Sequence, residues 1–256
     1  PGGYVAAIRA GQLGLDTVLV EADRLGGTCL IRGCIPSKAI IGVATEFETM
    51  RHAASKAPHG IKLNAAPTID FAETVKWKEG IVNRLNTGVT GLLKRAKVRV
   101  INGWAKFSDG KTCTVDAKTG PVTITAEHVI LATGSLPVQL PTMPFGGPVI
   151  SSTEALALDA VPQKLVVVGA GYIGLELGQA FAKLGSNVTV VEAEKQILPL
   201  YDTDLTAPVK RWLDKNGVIL HLGAKAKAVE TGKKATALIV ETADGKTIEL
   251  PADKIL

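Results

Sequence analysis

Apolar positions along this chain recur with two periods, and the order in which the periods alternate repeats once at long range. From Gly3 an apolar stretch at helical spacing ends at a Leu-Gly pair. A β-branched run, Thr17 to Val20, then closes on Glu21. The segment GLELGQAFAKLGSNVTVVEAE, Gly174 to Glu194, aligns without a gap on GYVAAIRAGQLGLDTVLVEAD, Gly3 to Asp23, at a constant offset of 171 residues. Each copy predicts a helix followed by a strand that ends in an acid, the second part of a βαβ unit. Between the copies, Ile40, Val43, Ala44, Phe47 and Met50 predict a helix after Cys34, with Pro36 in its first turn. A longer helix is predicted from Asp70, with Val75, Ile81, Leu85, Val89, Leu92 and Leu93 on its apolar face. Lys97 to Ile130 reads as hairpin strands turning at Ser108-Asp-Gly and Thr119-Gly-Pro. SLPVQLPTMPFGGP, with four prolines and two glycines in fourteen residues, reads as a linker, dividing the chain into residues 1–145 and 146–256.

The second copy is complete. KLVVVGAGYIG carries a buried-strand run, Leu165 to Val168, straight into Gly169-x-Gly171-x-x-Gly174, and Glu192 stands 23 residues after Gly169. That context makes a dinucleotide fingerprint: a tight turn at the first glycine, backbone approach to a pyrophosphate at the second, close helix packing at the third, and an acid for the ribose. The first copy retains only the third glycine, Gly3, with Glu21 placed 18 residues later, as Glu192 is after Gly174. The expectation is that the chain begins inside a fingerprint and is a piece of a longer polypeptide. The predicted fold class is α/β, three-layered, with two Rossmann-like dinucleotide-binding domains and an additional β-rich segment.

Composition narrows the partners. The 256 residues are 46% hydrophobic, enough for two cores, and no apolar run approaches the ~18 residues of a membrane span. No secretion signal is read at the start. The net charge of +5 is scattered, without a run of five basic residues, and aromatics are 4%, which argues against nucleic acid. Three cysteines in 256 residues is cytoplasmic usage.

Two of those cysteines lie in GGTCLIRGCIPSK, Gly26 to Lys38, and three chemistries compete for them: a structural disulfide, half a metal site, or a cycling thiol pair. The motifs in order, namely the shortened fingerprint, this Cys-x4-Cys, ILATGS at Ile130 to Ser135, ISSTEAL at Ile150 to Leu156 and the complete fingerprint, resemble those of the pyridine nucleotide:disulfide oxidoreductases. Within that family the cysteine motif is similar to that of the branch that oxidises dihydrolipoamide; it departs at Ile31, where an Asn is usual. The chemistry points the same way. So short a loop gains only roughly 2 kcal/mol from cross-linking, against about 4.7 for 100 residues. Two thiolates are half a zinc set, and Cys113 is alone, so no metal site is expected. A thiol opening a helix, as Cys34 does, has its thiolate favoured by the dipole.

The resemblance implies FAD at Gly3, Glu21, Gly26, Gly27, Thr28, Lys38, Ala132, Thr133 and Gly134, and NAD at Gly169, Gly171, Tyr172, Ile173, Gly174 and Glu192. It makes Cys34 the flavin-side, charge-transfer thiolate and Cys29 the interchange thiol. Lys38 would approach the flavin and pair with Glu176, a carboxylate that interrupts the apolar YIGLELG and would be costly to bury unpaired. Tyr172 stands where glutathione reductase has a flavin-shielding Tyr and many members of the dihydrolipoamide branch an aliphatic residue. Glu192, with only Lys195 near it in sequence, favours NAD over NADP. His52, His59, His128 and His221 match no catalytic position, and the implied catalytic base lies beyond Leu256. The implied partners are dihydrolipoamide on a lipoyl-bearing protein, a 2-oxo acid dehydrogenase complex, and a second copy in a homodimer. Chain 1–256 alone is expected to be inactive. The alternatives are a glutathione-, mycothiol- or mercuric-reductase-like enzyme and a structural or nucleic-acid-binding subunit.

Overall fold

The computed structural model describes residues 1–56, 60–232 and 236–256, so the expectation for His59 lies outside the described residues. The chain runs α1 (Gly2–Gln12), β1 (Val18–Glu21), α2 (Gly27–Arg32), α3 (Cys34–Lys56), α4 (Phe71–Arg95), β2 (Arg99–Phe107), β3 (Thr112–Ala117) and β4 (Gly120–Thr125). It continues through α5 (Ser152–Ala155), β5 (Lys164–Val168), α6 (Tyr172–Leu184), β6 (Asn187–Glu192), α7 (Thr203–Lys215), β7 (Ile219–Leu222), β8 (Lys225–Thr231), β9 (Thr236–Glu241), β10 (Thr247–Ala252) and β11 (Lys254–Ile255).

Two compact units result, and they interleave along the chain: Pro1–Pro36 with Trp77–Leu136, and Ser37–Lys76 with Pro137–Leu256. A division at 145/146 would leave residues 37–76 with the first unit. Packing instead puts Ile40, Ala44 and Phe71 in one core with Leu165, Leu177 and Phe181.

In the first unit β1 pairs in parallel with β2, and β2, β3 and β4 continue as an antiparallel meander, with β1 at the sheet's edge. Ala7 of α1, Leu30 of α2 and Val82, Val89 and Leu93 of α4 make its core. The expected α4 face holds at Val89 and Leu93, with Val75 and Ile81 half-buried, and is corrected at Leu85 and Leu92. Lys78, Val82, Val89 and Leu93 are buried, whereas Leu85 and Leu92 are exposed. The helix carries two adjoining apolar stripes, and spacing alone does not say which one turns inward. The strands also stop at Thr125: residues 126–139 form no helix or strand, and Ile130 and Leu131 are 70% and 73% exposed.

The second unit is built on a four-stranded parallel sheet, order β11-β5-β6-β7, with Val166 opposite Thr189 and Val190 opposite Leu220. Strands covered on both faces read as continuous apolar runs, which is why KLVVV and NVTVV were legible. One face packs on α6, in a core that also takes in Ile40 and Ala44 of α3; the other meets the antiparallel meander β10-β9-β8 through Val166, Val191, Leu238, Val240 and Ala252. By length and hydropathy the helical stretch Gly27–Lys56 could cross a membrane. In the fold, Ile40 and Ala44 of that stretch are fully packed core residues.

Candidate active site

The second unit's fingerprint forms where β5 gives way to α6. Gly169 has φ of +104°, a conformation that strains any residue with a Cβ, so the turn requires glycine. A Cβ at Gly174 would lie 2.4 Å from the Gly169 carbonyl oxygen, so only a bare α-carbon lets α6 start this close to the strand. Gly171 is the N-cap, and a Cβ there would meet nothing within 4 Å, leaving an open approach to the helix N-terminus. Tyr172 and Ile173 follow with exposures of 65% and 46%. Glu192 ends β6 as expected, but its carboxylate is not idle. Oε2 accepts the Ala170 N–H at 2.7 Å and Oε1 the Glu194 N–H at 2.8 Å. It therefore anchors the glycine turn, and a carboxylate has further lone pairs with which to accept from ribose hydroxyls. These residues fit a dinucleotide.

The first unit gathers the matching set. A Cβ at Gly3 would lie 3.3 Å from the Ala132 Cβ, and one at Gly134 would lie 3.9 Å from the Thr28 hydroxyl. Gly27, at φ +68°, turns the chain so tightly that a Cβ would reach the Pro1 nitrogen at 2.7 Å. Gly26 packs against Leu30, and Thr133 is exposed. Glu21 ends β1 and accepts the Asp23 N–H at 2.9 Å, the counterpart of the Glu192–Glu194 turn. Burial pushes the Glu21 carboxyl above its ordinary value, opposed by the Ala22 N–H and the nearby Arg32 guanidinium. Arg32, from the segment between the two cysteines, forms an ion pair with Asp23. Gly3 meets Ala132, Gly134 meets Thr28 and Gly27 meets the chain start before α1, a close backbone approach of the kind a nucleotide-bearing cofactor would need.

α2 carries Cys29 half-buried, and α3 opens at Cys34, which is exposed. The two side chains hydrogen-bond. That bond, then burial and the proximity of Cys34, pushes the Cys29 thiol above its ordinary range.

In the second unit Lys38 Nζ donates to both oxygens of Glu176, each at 2.8 Å. The pair forms as predicted, but its burial does not: the side chains are 59% and 42% exposed, because the pair lies at the rim of the α3–α6 contact. Further along, Lys183 of α6 donates to Thr45 at 3.0 Å, approaches Glu48 at 3.7 Å and stacks over Trp212 at 5.6 Å. His52 and His128 are exposed, and His221 is half-buried in β7. Among the described residues no cluster of His, Cys, Asp and Glu could hold a metal ion.

Sequence reading assigned no chemistry to α4, yet Glu79, Asn83 and Asn86 contact the loop before the cysteine motif. Their i, i+4, i+7 spacing was visible as a polar stripe; the loop it meets was not.

Two glycine turns, each joined to a strand that ends in an acid, and a thiol pair are the arrangement that an electron-transferring oxidoreductase would need. The profile of the family described as pyridine nucleotide-disulphide oxidoreductase matches residues 1–256, and the chain belongs to that family. It is 53% identical, over all of its length, to the dihydrolipoyl dehydrogenase of Pseudomonas aeruginosa, covering 54% of that protein. It is 43% identical to the dihydrolipoyl dehydrogenase of Geobacillus stearothermophilus, covering 53% of it. The chain thus spans about half the length of these relatives. Among solved structures it is similar to LpdA from Mycobacterium tuberculosis (TM-score 0.84, 27% identity, 99% of this chain and 55% of that one). It is also similar to the HOCl-induced flavoprotein disulfide reductase RclA from Escherichia coli (TM-score 0.81, 26% identity, 99% and 53%).

Proposed function

We propose that the full-length protein bearing this chain is a dihydrolipoyl dehydrogenase, taking two electrons from dihydrolipoamide on a lipoyl-bearing protein and delivering them to NAD. The observation that carries this reading is the adjacent, hydrogen-bonded pair Cys29–Cys34, with Cys34 opening α3. In the oxidised pair, a substrate thiolate attacks the Cys29 sulfur. The Cys29–Cys34 bond breaks and a mixed disulfide forms. The second substrate thiol then displaces Cys29, releasing lipoamide and leaving both electrons on the two protein sulfurs. FAD and NAD would supply the acceptors for that electron pair.

Gly3, Glu21, Gly26, Gly27, Thr28, Ala132, Thr133 and Gly134 would hold FAD, and Gly169, Gly171, Tyr172, Ile173, Gly174 and Glu192 would hold NAD. Lys38, fixed by Glu176, would present an ammonium to the flavin ring. Turnover needs a base to take the proton of the substrate thiol, and this reading places that base beyond Leu256. The protein would act in the cytoplasm as a homodimer within a 2-oxo acid dehydrogenase complex. A second reading, an FAD-dependent reductase of another small disulfide, is favoured by the exposed Tyr172 that opens α6.

The test is turnover by the full-length protein. NADH should form from dihydrolipoamide, and Cys29→Ser and Cys34→Ser should each abolish it. Faster NADPH-driven reduction of glutathione disulfide would overturn the assignment in favour of the second reading.

A further inference from the structure

We propose that α4 is the positioning element of the redox loop, gripping Arg24 and Leu25 through Glu79, Asn83 and Asn86 and so fixing the start of α2, on which Cys29 rides. This rests on the reading of Cys29 and Cys34 as the reactive pair. Three contacts define the grip. Asn83 Oδ1 accepts from Arg24 at 2.6 Å, Asn86 Nδ2 donates to the Leu25 carbonyl at 2.6 Å, and Glu79 Oε2 stands 3.7 Å from the Arg24 guanidinium. Residues at i, i+4 and i+7 share one helix face, so all three reach the same loop.

Lys78 gives the grip its rigidity. It is the one charged side chain among the buried described residues, at 2% exposure, and its ammonium lies 2.6 Å from Glu79 Oε1. A buried ammonium cannot be left unpaired. Glu79 is therefore held at one oxygen by Lys78 and presents the other to Arg24.

The loop has little slack in which to absorb a disturbance. Gly26, the N-cap of α2, follows Leu25 directly, and a Cβ there would already lie 2.9 Å from the Leu30 side chain. Cys29 lies two residues into α2, after Gly27 and Thr28. Movement of the Leu25 carbonyl is therefore transmitted to the Cys29 sulfur and to its hydrogen bond with Cys34.

The test follows Cys29 itself in the flavin-loaded full-length protein at the dithiol level. Iodoacetamide labelling is measured against pH by peptide mass spectrometry for the parent, Asn86→Ala and Glu79→Gln. Thr90→Ala, which removes a γ-methyl and a hydroxyl bonded to the Asn86 carbonyl, serves as the helix control. Asn86→Ala and Glu79→Gln should each lower the labelling midpoint by roughly half a pH unit or more, the size of one lost hydrogen bond. Thr90→Ala should leave it in place. Unmoved midpoints in both loop variants, or an equal shift in Thr90→Ala, would overturn the proposal. Labelling needs no substrate, so a protein inactive on dihydrolipoamide that still shows the shift loses the proposed function and keeps the clamp. An active one without the shift does the reverse.

Discussion

Glu192 turns both carboxylate oxygens onto backbone N–H groups of its own unit, one of them within the glycine turn. A neutral replacement therefore does more than remove repulsion towards a 2′-phosphate. Charge-assisted bonds of this kind contribute about 1.5–3 kcal/mol each, so Glu192→Ala should weaken NADH binding by tenfold or more while narrowing the preference over NADPH. Titration of each nucleotide checks this; unchanged NADH affinity would limit the residue to discrimination. Glu21 poses the converse case, because burial raises its pKa and the charged form is disfavoured on folding. That cost is present above the raised pKa and is relieved as pH falls through it. Glu21→Gln should thus melt no lower than the parent as apoprotein at neutral pH, yet release flavin more readily. Glu154 is opposite in sign. The Ser151 hydroxyl and N–H hold its carboxyl below the ordinary 4.5 in a capping box at α5. Its contribution, about 1 kcal/mol for such a cap, is complete above pH 4.5 and lost as pH falls through the depressed value. Melting curves of Glu154→Gln and the parent should accordingly differ at pH 7 and converge in acid.

At the scale of elements, α3 and α6 are joined by two unlike sets of contacts. Lys38–Glu176 is open to water, and such pairs contribute about 0–1 kcal/mol, so Lys38→Met should barely shift the melting temperature whatever it does to turnover. Lys183, 18% exposed and engaging Thr45, Glu48 and Trp212 together, should cost about 1–2 kcal/mol when replaced by Ala. Denaturant midpoints of the two variants would decide it; equal losses would mean the rim pair is structural. The helices themselves were legible because their apolar spacing was sustained, and α3 opens at the cysteine that the motif implied. The buried stripe of α4 was not, since Lys78 reads as surface in any hydropathy pattern and is buried only because Glu79 adjoins it. Nor was the short helix α2 visible, its six residues being too few for periodicity to register.

At the scale of the molecule, the glycine fingerprints and their acids could be read from sequence because backbone geometry admits few residues there. The interleaving of the two units could not, since it depends on which core accepts Ile40, Ala44 and Phe71. Expressed alone, the polypeptide 1–256 exposes Ile130, Leu131, Leu136 and Val138 in a stretch with no regular structure. It should bind a hydrophobic dye and purify without flavin colour; a yellow, dye-silent preparation would contradict this. The interleaving also limits modularity. No single cut of the chain releases either unit whole, because the chain passes between them at 36/37, 76/77 and 136/137. A chimaera that exchanges only residues 137–256 with a relative would leave a foreign sheet and α6 to pack on the native Ile40, Ala44 and Phe71. Successful grafts of nucleotide preference should therefore carry residues 37–76 along with the sheet, which makes the redox helix part of the inherited cassette.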